Sequence, residues 1–197
     1  MITEMSDSKG CTLTKEQIDG AIAFHGHHCP GLTIGLRASE WCLRELGHAG
    51  DEEIVVVTET DMCGDDAVQY LTGCTFGKGN FIFRDTGKVA FSFYRRSDHK
   101  SGRLVMDPDF ASDLRAEREA LRPEQTEEMA IQKQKLIDRM MRVELDELFH
   151  IGVPRFEIPH RARLHKTIRC ARCGEGVMEP RLVAVKGELF CVDCVEK

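Results

Sequence analysis

No stretch of this chain is apolar for long enough to cross a membrane. The longest clearly apolar run, Ile54 to Val57, falls far short of the roughly 18 residues a membrane helix needs. Met1 to Gly10 lacks the positive start and apolar stretch of a secretory signal. Basic residues are in deficit: 27 Lys and Arg against 33 Asp and Glu give a formal net charge of −6, a poor starting point for binding nucleic acid. One local exception runs from Arg155 to Arg169 and holds Arg161, Arg163 and Lys166; such a run is more often a solvated face or a partner contact. Internal repeats and low-complexity tracts are absent. The nine cysteines are odd in number with no export signal before them. They therefore read as metal ligands, catalytic thiols or small core residues rather than disulfide partners, with a cytoplasmic location as the default.

What is present is a globular composition, 42% hydrophobic over 197 residues, enough for one ordinary domain and a small satellite. Helical spacing predicts a helix over 14–24, with Thr14 and Gln17 forming a capping box. A second helix is expected from Leu32 to Leu46, with Pro30 in its first turn, one apolar face through Leu32, Leu36 and Leu43, and Gly47 as its stop. Ile54 to Thr60 reads as a strand, followed by a polar turn and a short helix near Ala67 to Leu71. Phe81 to Arg84 and Val89 to Tyr94 flank Asp85-Thr86-Gly87-Lys88 and read as a hairpin, and Arg103 to Met106 adds a strand. Asp107-Pro108 reads as a helix start. A charged helical region then runs to about Phe149, breaking at Pro123, with an apolar stripe of Ile137, Met140, Met141, Leu145 and Leu148 packed on the sheet. Pro154 and Pro159 mark a linker. The expectation is an α+β fold, an antiparallel or mixed sheet packed with helices over residues 1–160, and a small zinc module over 161–197.

The clearest motif is C-terminal. Cys170-x-x-Cys173 and Cys191-x-x-Cys194 are separated by seventeen residues, the spacing of two zinc knuckles. Each pair places two thiolates on one tight turn, and the four close a tetrahedral shell of sulfur ligands. Leu182 to Val185 and Glu188 to Phe190 read as the intervening hairpin of a treble-clef or ribbon module. About thirty residues cannot bury a core of their own, so the metal supplies the missing stability. Four protein ligands leave no open position, so this zinc is structural.

Softer signals lie upstream. His25, His27, His28 and Cys29 fall within five residues just before a helix, and alternation would point His25, His27 and Cys29 the same way. A helix N-terminus favours the thiolate of a nearby cysteine. Asp61-Met62-Cys63-Gly64-Asp65-Asp66 follows a strand, where functional groups gather, and Cys63 and Asp66 can share a helix face. Gly73-Cys74-Thr75-Phe76-Gly77-Lys78-Gly79-Asn80 suits close approach by a ligand. It is not a phosphate-binding Walker loop: the spacing is one residue short, and Gly79 stands where Ser or Thr should follow the lysine. Imidazole, thiolate and carboxylate together suit zinc or another late transition metal with an open position.

Phe24-His25-Gly26-His27-His28-Cys29-Pro30-Gly31-Leu32 resembles the signature of the FmdE family, named for a component of formylmethanofuran dehydrogenase. The similarity continues through Glu59 to Gln69 and Leu71 to Asn80, and the segment around Cys170 and Cys173 resembles the zinc-finger extension that many members carry. The resemblance implies an α+β core with a treble-clef zinc module, a homodimer, and an active site built from the His/Cys motif and the Cys63 loop. The enzyme that lends the family its name does its redox chemistry on molybdenum or tungsten and iron–sulfur centres in other subunits, and this chain lacks the cysteine runs of a ferredoxin-type cluster.

The expected function is a metal-dependent enzyme or enzyme subunit. Its core metal, a second zinc or another transition metal, would be held by His27, Cys29 and Cys63, with His25 a ligand or a group behind the ligands. Asp66 would serve as general base or as a carboxylate behind the ligands, and Lys78 would hold an anionic group of a small-molecule substrate. The alternative is a non-catalytic accessory or metal-delivery protein for a molybdenum or tungsten oxidoreductase. A nucleic-acid regulator ranks third.

Overall fold

The computed structural model describes residues 10–48 and 50–195, so most of the stretch from Met1 to Gly10, where no secretory signal is expected, lies outside the described residues. The chain divides into two compact units, one through Arg161 and one from Ala162. No described helix is long and apolar enough to cross a membrane.

The first unit opens with α1 (Lys15–His25), which has the expected capping box between Thr14 and Gln17 and ends at Gly26 with φ 94°. Helix α2 (Pro30–Glu45) begins two residues before the expected start. Pro30 occupies its first turn, and the Cys29 sulfur caps it by accepting from the Leu32 N–H at 3.3 Å. The sequence suggests a single buried face for α2, but every residue from Leu32 to Cys42 is buried. The helix lies between two apolar layers. Ile34, Ala38 and Trp41 pack toward the sheet with Phe91 and Phe93, while Leu32 and Leu36 pack with Ala21 of α1 and with Ala67 and Leu71. Its buried charges must therefore find partners inside. Arg37 pairs with Glu40 at 2.7 Å and donates to the Met140 and Val143 carbonyls, and Glu40 accepts from the Thr12 N–H and hydroxyl.

The sheet comprises β1 (Ile54–Thr58), β2 (Phe81–Phe83), β3 (Ala90–Arg95), β4 (Ser101–Met106) and β5 (Phe149–Gly152), in the order β2-β1-β3-β4-β5. This confirms the mixed α+β class and corrects one pairing. Residues 81–94 do not form a hairpin: β1 lies between β2 and β3, parallel to the first (Val56 opposite Phe81) and antiparallel to the second (Val56 opposite Phe93). The reason is burial. Every residue of β1 is buried, so the strand has to be covered on both edges and both faces. Helix α3 (Gly64–Thr72) supplies the crossover that brings β2 back parallel. Gly87 does take φ 68°, but in a loop that wraps the end of β1, where Arg84 N–H donates to the Thr58 carbonyl and Lys88 N–H to that of Glu59.

After β4 the chain turns at Asp107-Pro108 before α4 (Ser112–Glu119) starts, four residues later than the proline suggests. The break at Pro123 separates α4 from α5 (Thr126–Arg142). The predicted apolar stripe spans α5 and the short α6 (Leu145–Leu148), with Ile137, Met140, Leu145 and Leu148 buried. Phe149, expected to end a helix, instead starts β5. The segment read as a linker is packed: the Tyr94 hydroxyl donates to the Phe156 carbonyl at 3.0 Å, Arg84 stacks over the Phe156 ring, and Arg96 donates to the Pro159 carbonyl at 2.7 Å.

The second unit pairs β6 (Thr167–Arg169) with β7 (Gly176–Met178) and β8 (Val183–Val185) with β9 (Glu188–Phe190), and ends in α7 (Val192–Val195). Lys186 and Gly187, at φ 51° and 88°, make the expected two-residue turn between β8 and β9.

Candidate metal centre

Three elements converge at the first histidine motif. His25 is the last residue of α1, Gly26 turns the chain, and Cys29 caps α2. The ligand atoms of His25, His27 and Cys29 all lie within 4.8 Å of one another. His25 Nε2 is 3.9 Å from the Cys29 sulfur, and the two imidazoles are 4.6 Å apart between centroids. On its other side, His25 Nδ1 lies 2.7 Å from Asp66 Oδ2. An ionised carboxylate only accepts, so this contact places the ring proton on Nδ1 and leaves the Nε2 lone pair turned toward Cys29. A carboxylate behind a histidine is the usual way of orienting an imidazole toward a metal. His28 turns away, as alternation predicts, and its Nε2 meets the Thr33 hydroxyl at 3.0 Å. Burial, with Lys133 nearby, pushes the His28 pKa down.

Cys63 flanks this group without joining the three atoms that meet within 4.8 Å. It immediately precedes α3, and a Cβ added to Gly31 would sit 3.2 Å from the Cys63 Cβ and 3.7 Å from its sulfur. Burial, and then the neighbouring Cys29 thiol, push the Cys63 pKa up. The approach of α3 to α2 depends on paired glycines: a Cβ at Gly35 would fall 2.1 Å from the Gly64 carbonyl oxygen.

Asp65, beside Asp66, carries no mark in the sequence that sets it apart. Burial pushes its carboxyl up to about 7. The Thr58 hydroxyl has one proton and two neighbours, the Thr60 carbonyl at 2.9 Å and Asp65 Oδ1 at 2.7 Å. The hydroxyl can donate to only one of them at a time, and its bond to Asp65 Oδ1 offsets part of the effect of burial. Lys78 is elsewhere. It is exposed in the loop after α3, beyond the end opposite Cys63, and nine residues of helix span about 13 Å. Cys74, in the same loop, is core: its thiol donates to the Ile54 carbonyl at 3.3 Å. Cys42 is likewise fully buried among apolar side chains.

In the second unit, the four sulfurs of Cys170, Cys173, Cys191 and Cys194 lie within 4.8 Å of one another. The Cys191 N–H donates to the Cys170 sulfur at 3.3 Å. Backbone N–H groups of Cys173 and Cys191 bring the Cys170 pKa down to about 6, while the crowding of thiols around Cys194 raises it to about 12. Four thiols converging with amides turned toward sulfur fit a tetrahedral zinc, whose charge removes the mutual repulsion of the thiolates. All nine cysteines are free of disulfides.

A family profile described as FmdE, of the molybdenum formylmethanofuran dehydrogenase operon, matches residues 24–150. A second, the prokaryotic dksA/traR C4-type zinc finger, matches residues 165–197. A probable S-adenosyl-L-methionine-binding protein of Archaeoglobus fulgidus is 31% identical over 179 residues, covering 81% of this chain and 48% of that protein. The chain thus spans about half the length of this curated relative. The crystal structure of a tungsten formylmethanofuran dehydrogenase FmdE-like protein from Syntrophus aciditrophicus shares the fold with a TM-score of 0.64 at 20% identity, covering 95% of this chain and 96% of that one. The histidine–cysteine motif, the Cys63 loop and the strands β1 to β4 all fall within the first match, and the four C-terminal cysteines within the second, so the chain belongs to the FmdE family and carries a C4-type zinc finger as its second unit.

Proposed function

We propose that the chain is a metal-dependent enzyme or enzyme subunit whose core site holds a zinc or another late transition metal on His25, His27 and Cys29, with Cys63 as a further ligand. The observation that carries this reading is the convergence of two imidazoles and a thiol, with Asp66 orienting the inner imidazole. The three converging ligands leave a fourth position that either Cys63 or water and substrate can take, in contrast to the closed four-cysteine site. When bound, such a metal supplies Lewis-acid activation of a carbonyl or of water. The chain's own groups do the rest. Asp66 holds the His25 ring and its Nδ1 proton, Asp65, raised to about 7, can take up or give a proton near neutral pH, and the α2–α3 contact keeps Cys63 beside Cys29.

Elemental analysis tests the reading. The wild type should carry two metals per chain, and Cys29→Ala should carry one. Asp66→Asn should bind the second metal about 10–100-fold more weakly without losing the first. If wild type and Cys29→Ala both carry a single zinc, the core site is not a metal centre.

The zinc finger favours a second reading. A closed site does no chemistry, and a module of that kind suits docking. In this reading a homodimer would act as an accessory or metal-delivery partner of a molybdenum or tungsten oxidoreductase in a reducing cytoplasm. Equilibrium sedimentation tests the dimer, and stable association with a purified molybdenum or tungsten subunit, lost on deleting residues 162–197, would favour this reading over independent catalysis.

A further inference from the structure

Across the sheet from α2 lies a second candidate site, made of residues that share no motif. Alternation along β4 puts Arg103 and Val105 on one face, and the register sets His150 of β5 opposite Val105. With Lys88 from the loop around β1, and Val153 and Arg155 from the segment after β5, they line a cleft of about 450 Å³. Three permanent cations meet in it, Lys88, Arg103 and Arg155, in a chain whose net charge is −6. Two carboxylates bear on them. Glu59 accepts from Arg103 Nε at 2.6 Å and from the Thr86 hydroxyl at 3.0 Å, and Asp107 lies 3.6 Å from His150 Nε2.

Arg103 is only 5% exposed, and its Nη2 is buried without an acceptor among the described residues. A guanidinium carries five N–H donors in a planar fork, and Glu59 uses the Nε edge. Leaving a buried donor unpaired is unfavourable, and the group that satisfies such a fork is a planar or tetrahedral oxyanion. Lys88 also bears on Glu59, but Arg155 brings a third cation to the cleft beside a carboxylate already paired with Arg103. The apolar lining of Val105, Ile151 and Val153 suits the carbon portion of an organic acid or phosphate ester.

We infer that this cleft binds a small oxyanion, a phosphate or a carboxylate, with Arg103 as the buried fork and Lys88 and Arg155 as its exposed cationic mouth. None of its residues belongs to the His25–His27–Cys29 group, so the assignment stands or falls separately from the core metal.

Calorimetric titration of the full chain with inorganic phosphate, and separately with succinate, tests it. Saturable binding is expected for at least one probe, weakened about tenfold or more in the double variant Lys88→Met/Arg155→Met. Both positions are exposed, so the Trp41 fluorescence unfolding midpoint should stay at the wild-type value. Arg103→Lys keeps the charge beside Glu59 and removes the fork, and should weaken binding with the same probe preference. Should that variant fail to fold, the double variant still decides the matter. A preference for phosphate over succinate marks a phosphate ligand, and the reverse marks an organic acid. No saturation with either probe up to about 10 mM, or wild-type binding by the double variant, overturns the assignment.

Discussion

At the scale of single residues, the polar groups of the first unit are placed by what burial demands of them. Glu59 is fully buried. Burial alone pushes its carboxyl up, but the guanidinium of Arg103 and the hydroxyl of Thr86 outweigh that and hold it below its ordinary value. A carboxyl depressed in the folded state contributes stability that is fully present above the unfolded value, about 4.3, and is lost as pH falls through the lower folded value. Glu59→Gln should therefore cost about 3 kcal/mol at pH 7, because it strands Arg103 without a counter-charge. The gap to wild type should narrow from pH 7 to pH 3, as pH falls below the unfolded value toward the lower folded one. Urea unfolding followed by Trp41 fluorescence reads both; an equal gap at the two pH values would show that the ion pair contributes nothing. The His/Cys motif was legible because its residues are neighbours in the chain. Its partner Asp66 was legible only as a candidate, since a contact spanning 41 residues leaves no local trace. Lys78 shows the opposite: a lysine in a glycine-rich loop reads as a ligand-holder, yet the length of α3 separates it from Cys63.

At the scale of elements, the decisive contact is between α2 and α3. Gly35 lies against the Gly64 backbone, where a Cβ would come within 2.1 Å of the carbonyl oxygen. Backbone cannot rotate aside, so Gly35→Ala must separate the helices and move Cys63 from Cys29. A loss of about 3 kcal/mol is expected in the urea midpoint, with the denaturant slope unchanged. Gly50→Ala, with open space around it, is the control and should stay within about 0.5 kcal/mol. A wild-type midpoint for Gly35→Ala would mean that the close crossing is not needed. Helix α1 was readable nearly to the residue because its capping box and terminal glycine are local signals. The partner of β2 was not readable. Two strands joined by a short turn look like a hairpin, and only the need to cover β1 on both edges sends them to opposite sides of it.

At the scale of the molecule, the two units are stabilised by different physics. The first has an extended apolar core from α2 to the sheet, whereas the second gathers little beyond its own cysteines, Val177 and Phe190. Metal must do for the second what burial does for the first. Cys194→Ser should remove one equivalent of zinc and collapse the amide dispersion of residues 167–195. The chain's single tryptophan, Trp41, is in the first core and should report an unfolding midpoint within about 0.5 kcal/mol of wild type. A large shift of the Trp41 transition would mean that the units fold as one.

Signals carried by adjacent residues were complete in the linear chain: the paired Cys-x-x-Cys knuckles, the capped first helix, the His/Cys motif and the mixed α+β class. Each depends on spacing within a few residues, which local backbone geometry converts directly into structure. Three features emerged only when the chain was folded: the place of β1 between β2 and β3, the half-buried Asp65 carboxyl with its raised pKa, and the cationic cleft around Arg103. Lys88, Arg103 and the pair His150 and Arg155 come from three separate stretches of chain, and nothing in the spacing of those stretches relates them. They meet because strand register and the packing of residues 153–159 against Tyr94 and Arg96 bring distant backbone together, and those contacts are set by burial of the whole sheet.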